Sequence, residues 1–404
     1  MKGKAINAAL WFSGLILSLA VSQAGEIEFH SRHLEKEYHG EGAAFGDFNG
    51  DAHSDLVSGP FWYEGPEFQA RHEFYPPAPK DPNKNGYTND NFLVFVNDIN
   101  RDGWSDILIV AFPGTAAHWF ENPRGKEGHW QKHLVLNGVG NESPFLFDLD
   151  GDQVDELFCV SNGAFGYAQS KPKSPQSPWT FHPISAPLKL GPYVHGLGIG
   201  DIDGDEREDL LTKDGWFKQP STLTSNTPWT FHRYDLRPSR RLPFPGGAQI
   251  FAYDVDGDND KDLIMSLAAH GYGLAWFEQD TENGARIFKQ HTLLREDGKP
   301  TDGRTPFSQL HALALADVDG DGLKDIITGK CRFAHGPEGD PEPKADPVLY
   351  WFRLDRSDTG TTFSQHLISQ NAGVGRQIAI GKANTNEHID IAIGNKSGTT
   401  LLTR

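Results

Sequence analysis

Oxygen-bearing side chains recur in this chain at positions 1, 3, 5 and 9 of a nine-residue segment, a spacing that suits a hard cation. The first set is Asp47, Asn49, Asp51 and Asp55. It returns as Asp98, Asn100, Asp102 and Asp106, and then as Asp148, Asp150, Asp152 and Glu156. Asp201, Asp203, Asp205 and Asp209 follow, then Asp254, Asp256, Asp258 and Asp262, and finally Asp317, Asp319, Asp321 and Asp325. A tight loop turns alternate side chains inward, and calcium gathers oxygens at about 2.3–2.6 Å, with a backbone carbonyl near position 7 and water completing the shell. Left unpaired, so many carboxylates in so short a segment repel one another, which argues against plain acidic turns. Six calcium sites are expected, with magnesium the lesser option. A worn seventh copy has Lys382, Asn384, Asn386 and Asp390 at the same positions. Its ammonium repels a cation, so no seventh site is expected. An EF-hand is excluded, because that loop needs a Glu at position 12, where this chain has Ser58, Ile109 or Val160.

Other side chains break the repeat, and packing does not ask for them. Six residues before each first ligand stand Glu41, Phe92, Glu142, His195, Ala248, His311 and Arg376, with Tyr193, Gln249 and Gln377 close by. Imidazole and carboxylate together suit zinc or a similar divalent ion, so His195 and His311 with Glu41 or Glu142 could hold one. Alternatively a His near its ordinary pKa serves as general base. Arg376 is then expected to pair with a substrate carboxylate through both its nitrogens, and Tyr193 to donate a proton.

The elements that must position these groups are strands. The acidic segments return every 50 to 65 residues or so, a period of propeller blades or arrays. Residues around them alternate like strands, as in Gly-Leu-Gly-Ile-Gly before Asp201. An aromatic strand follows each loop at Trp62-Tyr63-Glu64, Trp119-Phe120-Glu121, Trp216-Phe217, Trp276-Phe277-Glu278 and Trp351-Phe352, with Phe165-Gly166-Tyr167 as the departure. Next comes a strand bearing His72, His133, His182, His232, His291 or His366, and a residue repeated in this way is read as structural, hydrogen-bonding a neighbouring turn. One more copy, His33-Leu34, precedes the first loop while none follows the last. The reading is an all-β fold: a single seven-bladed β-propeller of four-stranded blades over residues 25–404, its last blade completed by the N-terminal strand. The residues that break the repeat then converge at one mouth of the central channel, opposite the acidic loops. His270 and His335, from loops between second and third strands, arrive at the same mouth. Glu41, Glu142, Gln249, Gln377, His270 and His335 are accordingly expected to bind substrate.

Composition narrows the partners. With 37 Lys+Arg against 55 Asp+Glu the net charge is −18, which argues against nucleic acid. Two Cys among 404 residues exclude a disulfide-framed fold and a Cys-based zinc module. Cys159 and Cys331 fall in non-adjacent units and are not expected to pair. Lys2 and Lys4, an apolar run from Ala8 to Val21 and Ser22-Gln23-Ala24 read as a signal peptide over residues 1–24, giving a secreted or periplasmic protein with no membrane span in the mature chain and a monomeric state. No nucleophile elbow, phosphate loop or dinucleotide fingerprint is present.

The acidic loops, with Phe45-Gly46 before Asp47, resemble the FG-GAP/VCBS repeat family of calcium-loop propellers, which includes the head of integrin α chains. Ser58-Gly59-Pro60 replaces the usual Gly-Ala-Pro. The run Trp119-Phe120-Glu121-Asn122-Pro123, with Trp130 and His133 behind it, is similar to propellers of the aldos-2-ulose dehydratase type. These resemblances imply two functions. One is a carbohydrate-active propeller, a carbon–oxygen lyase performing β-elimination on a sugar or polysaccharide at the mouth. The other is a non-catalytic adhesion propeller that binds a protein or glycan on the same face.

Overall fold

Short apolar runs between turns rich in Gly and Asp can bury themselves only as paired strands. The computed structural model describes residues 27–84, 86–87, 90–223, 228–237, 245–384 and 386–404, so the expected signal peptide lies outside the described residues. Among these residues there are 28 strands and no helix, and hence none long and apolar enough to cross a membrane. The strands form sheets of four, seven, nine, four and four members, antiparallel except for two parallel pairings in the nine-stranded one. The seven-stranded sheet is continuous because one strand, Gln131–Phe147, pairs with Thr115–Glu121 through its first half and with Glu156–Ser161 through its second. In the nine-stranded sheet, Leu197–Gly200 and Gln249–Tyr253 pair in parallel. They approach so closely that a Cβ on Gly198 would lie 1.9 Å from the Ile250 carbonyl oxygen, which is why that position is glycine.

Every acidic loop joins two antiparallel strands in one register: the residue before position 1 faces position 9. The pairs are Gly46↔Asp55, Asn97↔Asp106, Phe147↔Glu156, Gly200↔Asp209, Tyr253↔Asp262, Ala316↔Asp325 and Gly381↔Asp390. The first six loops turn left-handed at positions 4 and 6, where Arg101 (φ 59°), Ala52 (φ 65°) and Glu206 (φ 66°) adopt, at a steric cost, the conformation that glycine takes freely in other copies. The carboxylate at position 1 makes this tolerable, as Asp47 does by accepting the amides of Gly50 and Ala52 at 2.7 and 2.9 Å.

Position 9 has a second task. Its carboxylate is buried in all seven copies and accepts the amide of position 2, from Phe48 (2.8 Å) in the first copy to Ala383 (2.7 Å) in the last. In every copy but that of Glu156 the other oxygen accepts an amide from the end of the third strand, such as Asn122, Gln219 or Arg404. The side chain thus straps loop to sheet whether or not a cation is present, and the worn seventh copy retains it. Replacing Asp390 by Ala strands two buried N–H groups and should cost about 2–5 kcal/mol, measured by urea unfolding at fixed calcium.

Burial is greatest in the second strand of each unit and falls outward from it, the first strands being only partly buried. Asp106–Val110 is wholly buried, whereas the fourth strand Thr230–Arg233 is exposed throughout. The repeated His does not bond a turn, as expected from its spacing. It stacks on the aromatic residue directly opposite on the third strand, in the pairs Trp62–His72 (ring centroids 4.0 Å apart), Trp119–His133, Tyr167–His182, Trp216–His232, Trp276–His291 and Trp351–His366. Register explains the repeat, because each pair is a direct cross-strand neighbour. At the N-terminus, His30–Glu35 pairs with Gly398–Thr403, aligning His30 with Thr403 and His33 with Thr400.

Candidate metal centre

His195 and His311 stand two residues before the strands Leu197–Gly200 and Leu313–Ala316, at the opposite end from the acidic loops that follow those strands. Glu142 lies on the long strand Gln131–Phe147, and His270 on the turn between Asp262–Ser266 and Leu274–Glu282. These four residues, distant in sequence, bring their ligating atoms together. His270 Nε2 is 3.2 Å from His195 Nε2 and 3.4 Å from His311 Nε2. Glu142 Oε2 is 3.5 Å from His195 Nε2 and 3.6 Å from His311 Nε2. The three rings splay, with interplanar angles of 88°, 82° and 52°.

The electrostatics favour the unprotonated imidazole and the ionised carboxylate. Burial, reinforced by Arg376 and the neighbouring rings, pushes His311 well below the ordinary imidazole range and His270 down to about 4. Burial works to raise Glu142, but His195 and the Arg376 guanidinium outweigh it and hold the carboxyl low. Neutral His270 and His311 beside an ionised Glu142 are in the protonation state that binds a metal.

The other expected site residues lie elsewhere or do other work. Arg376 is completely buried, so it cannot clamp a substrate carboxylate. It donates to Cys331 Sγ (3.2 Å) and Tyr87 Oη, lies over the Tyr87 and Phe92 rings and faces Glu142 Oε2 at 3.7 Å, which makes it the fixed counter-charge of that carboxylate. Glu41 is equally buried and accepts from Tyr38 Oη at 2.5 Å. Tyr193 is 55% exposed against Phe112 and is not part of the cluster. The Gln249 and Gln377 amides are spent on backbone. Gln249 accepts from Leu313 and donates to the Arg376 carbonyl, while Gln377 makes both bonds to Val94. They line a cavity of about 260 Å³ between the first strands and bridge those strands through their backbone. Cys159 and Cys331 are free and buried.

His335 does reach the cluster, its ring 4.4 Å from that of His270. It brings a partner that the sequence reading missed. Asp340 accepts from the His335 backbone at 2.7 Å and meets His335 Nδ1 at 3.0 Å, with His270 Nδ1 at 3.8 Å. Burial works to raise Asp340, but the His335 bonds hold its carboxyl below the ordinary range. Also missed were Tyr87 and the buried Lys396, whose Nζ donates to the Phe333 carbonyl at 2.8 Å.

At the other end, the acidic loops offer a donor set suited to a hard cation. Oxygens of Asp148, Asp150 and Glu156 lie within 4.8 Å of one another, as do those of Asp201, Asp203 and Asp209. The residue at position 9 is desolvated among like charges. Burial first, opposed by the strap amides, raises Asp55 to about 6 and Asp106, Glu156, Asp209, Asp262 and Asp325 to about 7.

Fold and site thus define an all-β protein of curled antiparallel sheets, with a His/Glu cluster at one end of its first strands and acidic loops at the other. No protein-family model matches the chain, and no curated protein sequence does. Among solved structures it is similar to an Agrocybe aegerita lectin described as recognising non-reducing terminal N-acetylglucosamine, at 15% identity and TM-score 0.47 over 89% of this chain and 84% of that one. It is also similar to rhamnogalacturonan lyase YesW, at 13% identity and TM-score 0.44 over 93% and 75% of the two chains. AofleA from Arthrobotrys oligospora gives 12% and 0.39 over 76% and 79%. At these identities and TM-scores the likenesses bear on no residue of the mouth.

Proposed function

We propose that this chain is a secreted, calcium-stabilised seven-bladed β-propeller that holds a divalent metal, zinc or a close relative, at the mouth of its channel and acts there as a carbon–oxygen lyase on a sugar or polysaccharide. The metal rests on one observation. Four of the six separations among the donor atoms are 3.2–3.6 Å, and all six are within 4.8 Å, against tetrahedral edges around zinc of about 3.3 Å for bonds of about 2.0–2.1 Å.

The ring is inferred from pairing. Each acidic loop opens one four-stranded blade, the seven-stranded sheet being two blades fused through Gln131–Phe147 and the nine-stranded sheet two more joined along their first strands. The first strand Ala43–Gly46 touches both the next unit's Leu93–Asn97 and the last unit's Ala379–Gly381. The pairing of His30–Glu35 with Gly398–Thr403 then supplies the last blade's outer strand.

A metal bound at the mouth would supply Lewis-acid chemistry, polarising a carbonyl or carboxylate oxygen of the sugar and so acidifying the adjacent C–H. His195, His270, His311 and Glu142 would hold it, and Arg376 keeps Glu142 ionised. Asp340 holds His335 at Nδ1, leaving Nε2 of that half-exposed ring to take the proton. The electron pair of the broken C–H bond forms the C=C bond, and the oxygen on the β-carbon leaves, collecting a proton from His335 or water. The substrate class follows the resemblance of the Trp119–Pro123 run to dehydratase-type propellers. Absorbance at the unsaturated-product band, followed across keto-sugars and uronate polysaccharides with zinc-loaded protein, should rise on at least one of them and not with His335→Ala. Zinc binding without product on any substrate would contradict the lyase and leave the binding propeller.

A further inference from the structure

Two residues after the aromatic that stacks on the repeated His, the third strand of units two, three, four and six carries a side chain that contacts that unit's own acidic loop. Glu121 Oε1 accepts from Asn100 Nδ2 at 3.3 Å, and Gln169 Nε2 donates to Asp150 Oδ2 at 2.7 Å. Lys218 Nζ contacts both Asp203 and Asp205. Arg353 reaches Asp319 Oδ2 with Nε at 2.6 Å and Asp321 Oδ2 with a terminal nitrogen at 3.5 Å. Glu64 and Glu278 hold the corresponding places in units one and five and bond His72 and His291.

The charge at this place varies with that of the loop. Where position 3 is Asn49 or Asn100, the strand supplies Glu64 or Glu121. Three of the four loops with carboxylates at all four positions face Gln169, Lys218 or Arg353 instead. The fourth, in unit five, departs: besides Asp254, Asp256, Asp258 and Asp262 it has Asp260 at position 7 and Glu278 on the strand. Burial first, and Asp258 next, raise Asp260 to about 6.

We propose that Lys218 and Arg353 are built-in counter-ions that take the place of calcium in loops four and six, so that the chain binds calcium in loops one, two, three and five alone. This rests on the reading that the acidic loops are calcium sites. Lys218 and Arg353 each span positions 3 and 5, the two oxygens between which a cation would sit, so an incoming ion meets a positive charge already at its ligands. Other cations near the loops do not span them in this way. Arg124 touches only Asp102 in loop two, and from unit two Arg101 reaches only Asp152 in loop three, at its side chain and its carbonyl. Loop five, with the most carboxylates and no cation spanning positions 3 and 5 among the described residues, should bind tightest.

Calcium per chain, measured on the full-length protein by equilibrium dialysis after exhaustive chelation and reloading, should be four. Lys218→Gln and Arg353→Gln should each raise it to five, and the double variant to six. Six in the wild type, or four in every variant, would overturn the counter-ion role. No calcium in the wild type would overturn the calcium reading itself. If the double variant fails to fold, the wild-type count and the single variants decide.

Discussion

Zinc should bind the calcium-saturated protein with one tight equivalent, and His270→Ala and His311→Ala should each weaken that equivalent by about 100-fold or more, because loss of even an outer-sphere partner commonly costs 10–100-fold. The two variants separate binding from packing. His270 is partly exposed, so truncating it should leave the metal-free melting temperature nearly unchanged, whereas His311 is fully buried and its loss opens a cavity. Glu142→Gln should weaken zinc as well, and it also leaves the buried Arg376 without the ionised carboxylate it faces at 3.7 Å. Isothermal titration with zinc in a calcium buffer measures all three. The affinity should hold down to about pH 4 and fall below it, where protons begin to compete for His270.

The second large effect is on stability. Removing calcium should lower the melting temperature by about 10 °C or more, since a site filled to 100 times its Kd contributes about 2.7 kcal/mol and several sites act together. The calcium-free protein should then respond to pH in an unusual direction. A carboxyl whose folded pKa stands above its unfolded one binds more protons when folded, so stability falls as pH rises between the two values. Asp55 at about 6, and Asp106, Glu156, Asp209, Asp262 and Asp325 at about 7, place that window from about pH 4 to above 7. Below pH 6.5, His270 and His311 oppose the trend, because they are held neutral in the fold and take protons on unfolding. The clean interval is pH 6.5 to 8, where each of the five carboxyls near 7 should cost roughly 0.5–1 kcal/mol as it ionises, and Asp55, already mostly ionised, far less. In EGTA the melting temperature should therefore be higher at pH 6.5 than at pH 8, and calcium should largely abolish the difference. Equal melting temperatures with and without calcium at pH 8 would contradict the role of the ion.

Much of this was legible because a coordination shell writes itself into local sequence. The loops, their strands and the shared register of position 9 all follow from the nine-residue pattern, and Glu142, His195 and His311 follow from counting back along the first strand. What counting cannot give is depth. Arg376 sits at the same count as His195, yet lies buried beneath the cluster between Tyr87 and Cys331. Tyr193, two residues from His195, points away to Phe112. Asp340 and Tyr87 come from long connections whose course depends on packing, and no periodicity marks them. The repeated His was rightly expected to be structural, but its partner lies across the strand, and only register could show that. Lys218 and Arg353 were visible in the sequence as the residues after Trp216-Phe217 and Trp351-Phe352, but the loops were read one by one, without the strand that crosses above them.

The most direct test of the mouth is anomalous diffraction at the zinc edge from crystals of the zinc-loaded protein. The account predicts one strong peak roughly equidistant from the Nε2 atoms of His195, His270 and His311 and from Glu142 Oε2. A zinc-loaded crystal whose anomalous density lies only on surface groups, with those three imidazoles still packed against one another, would contradict it.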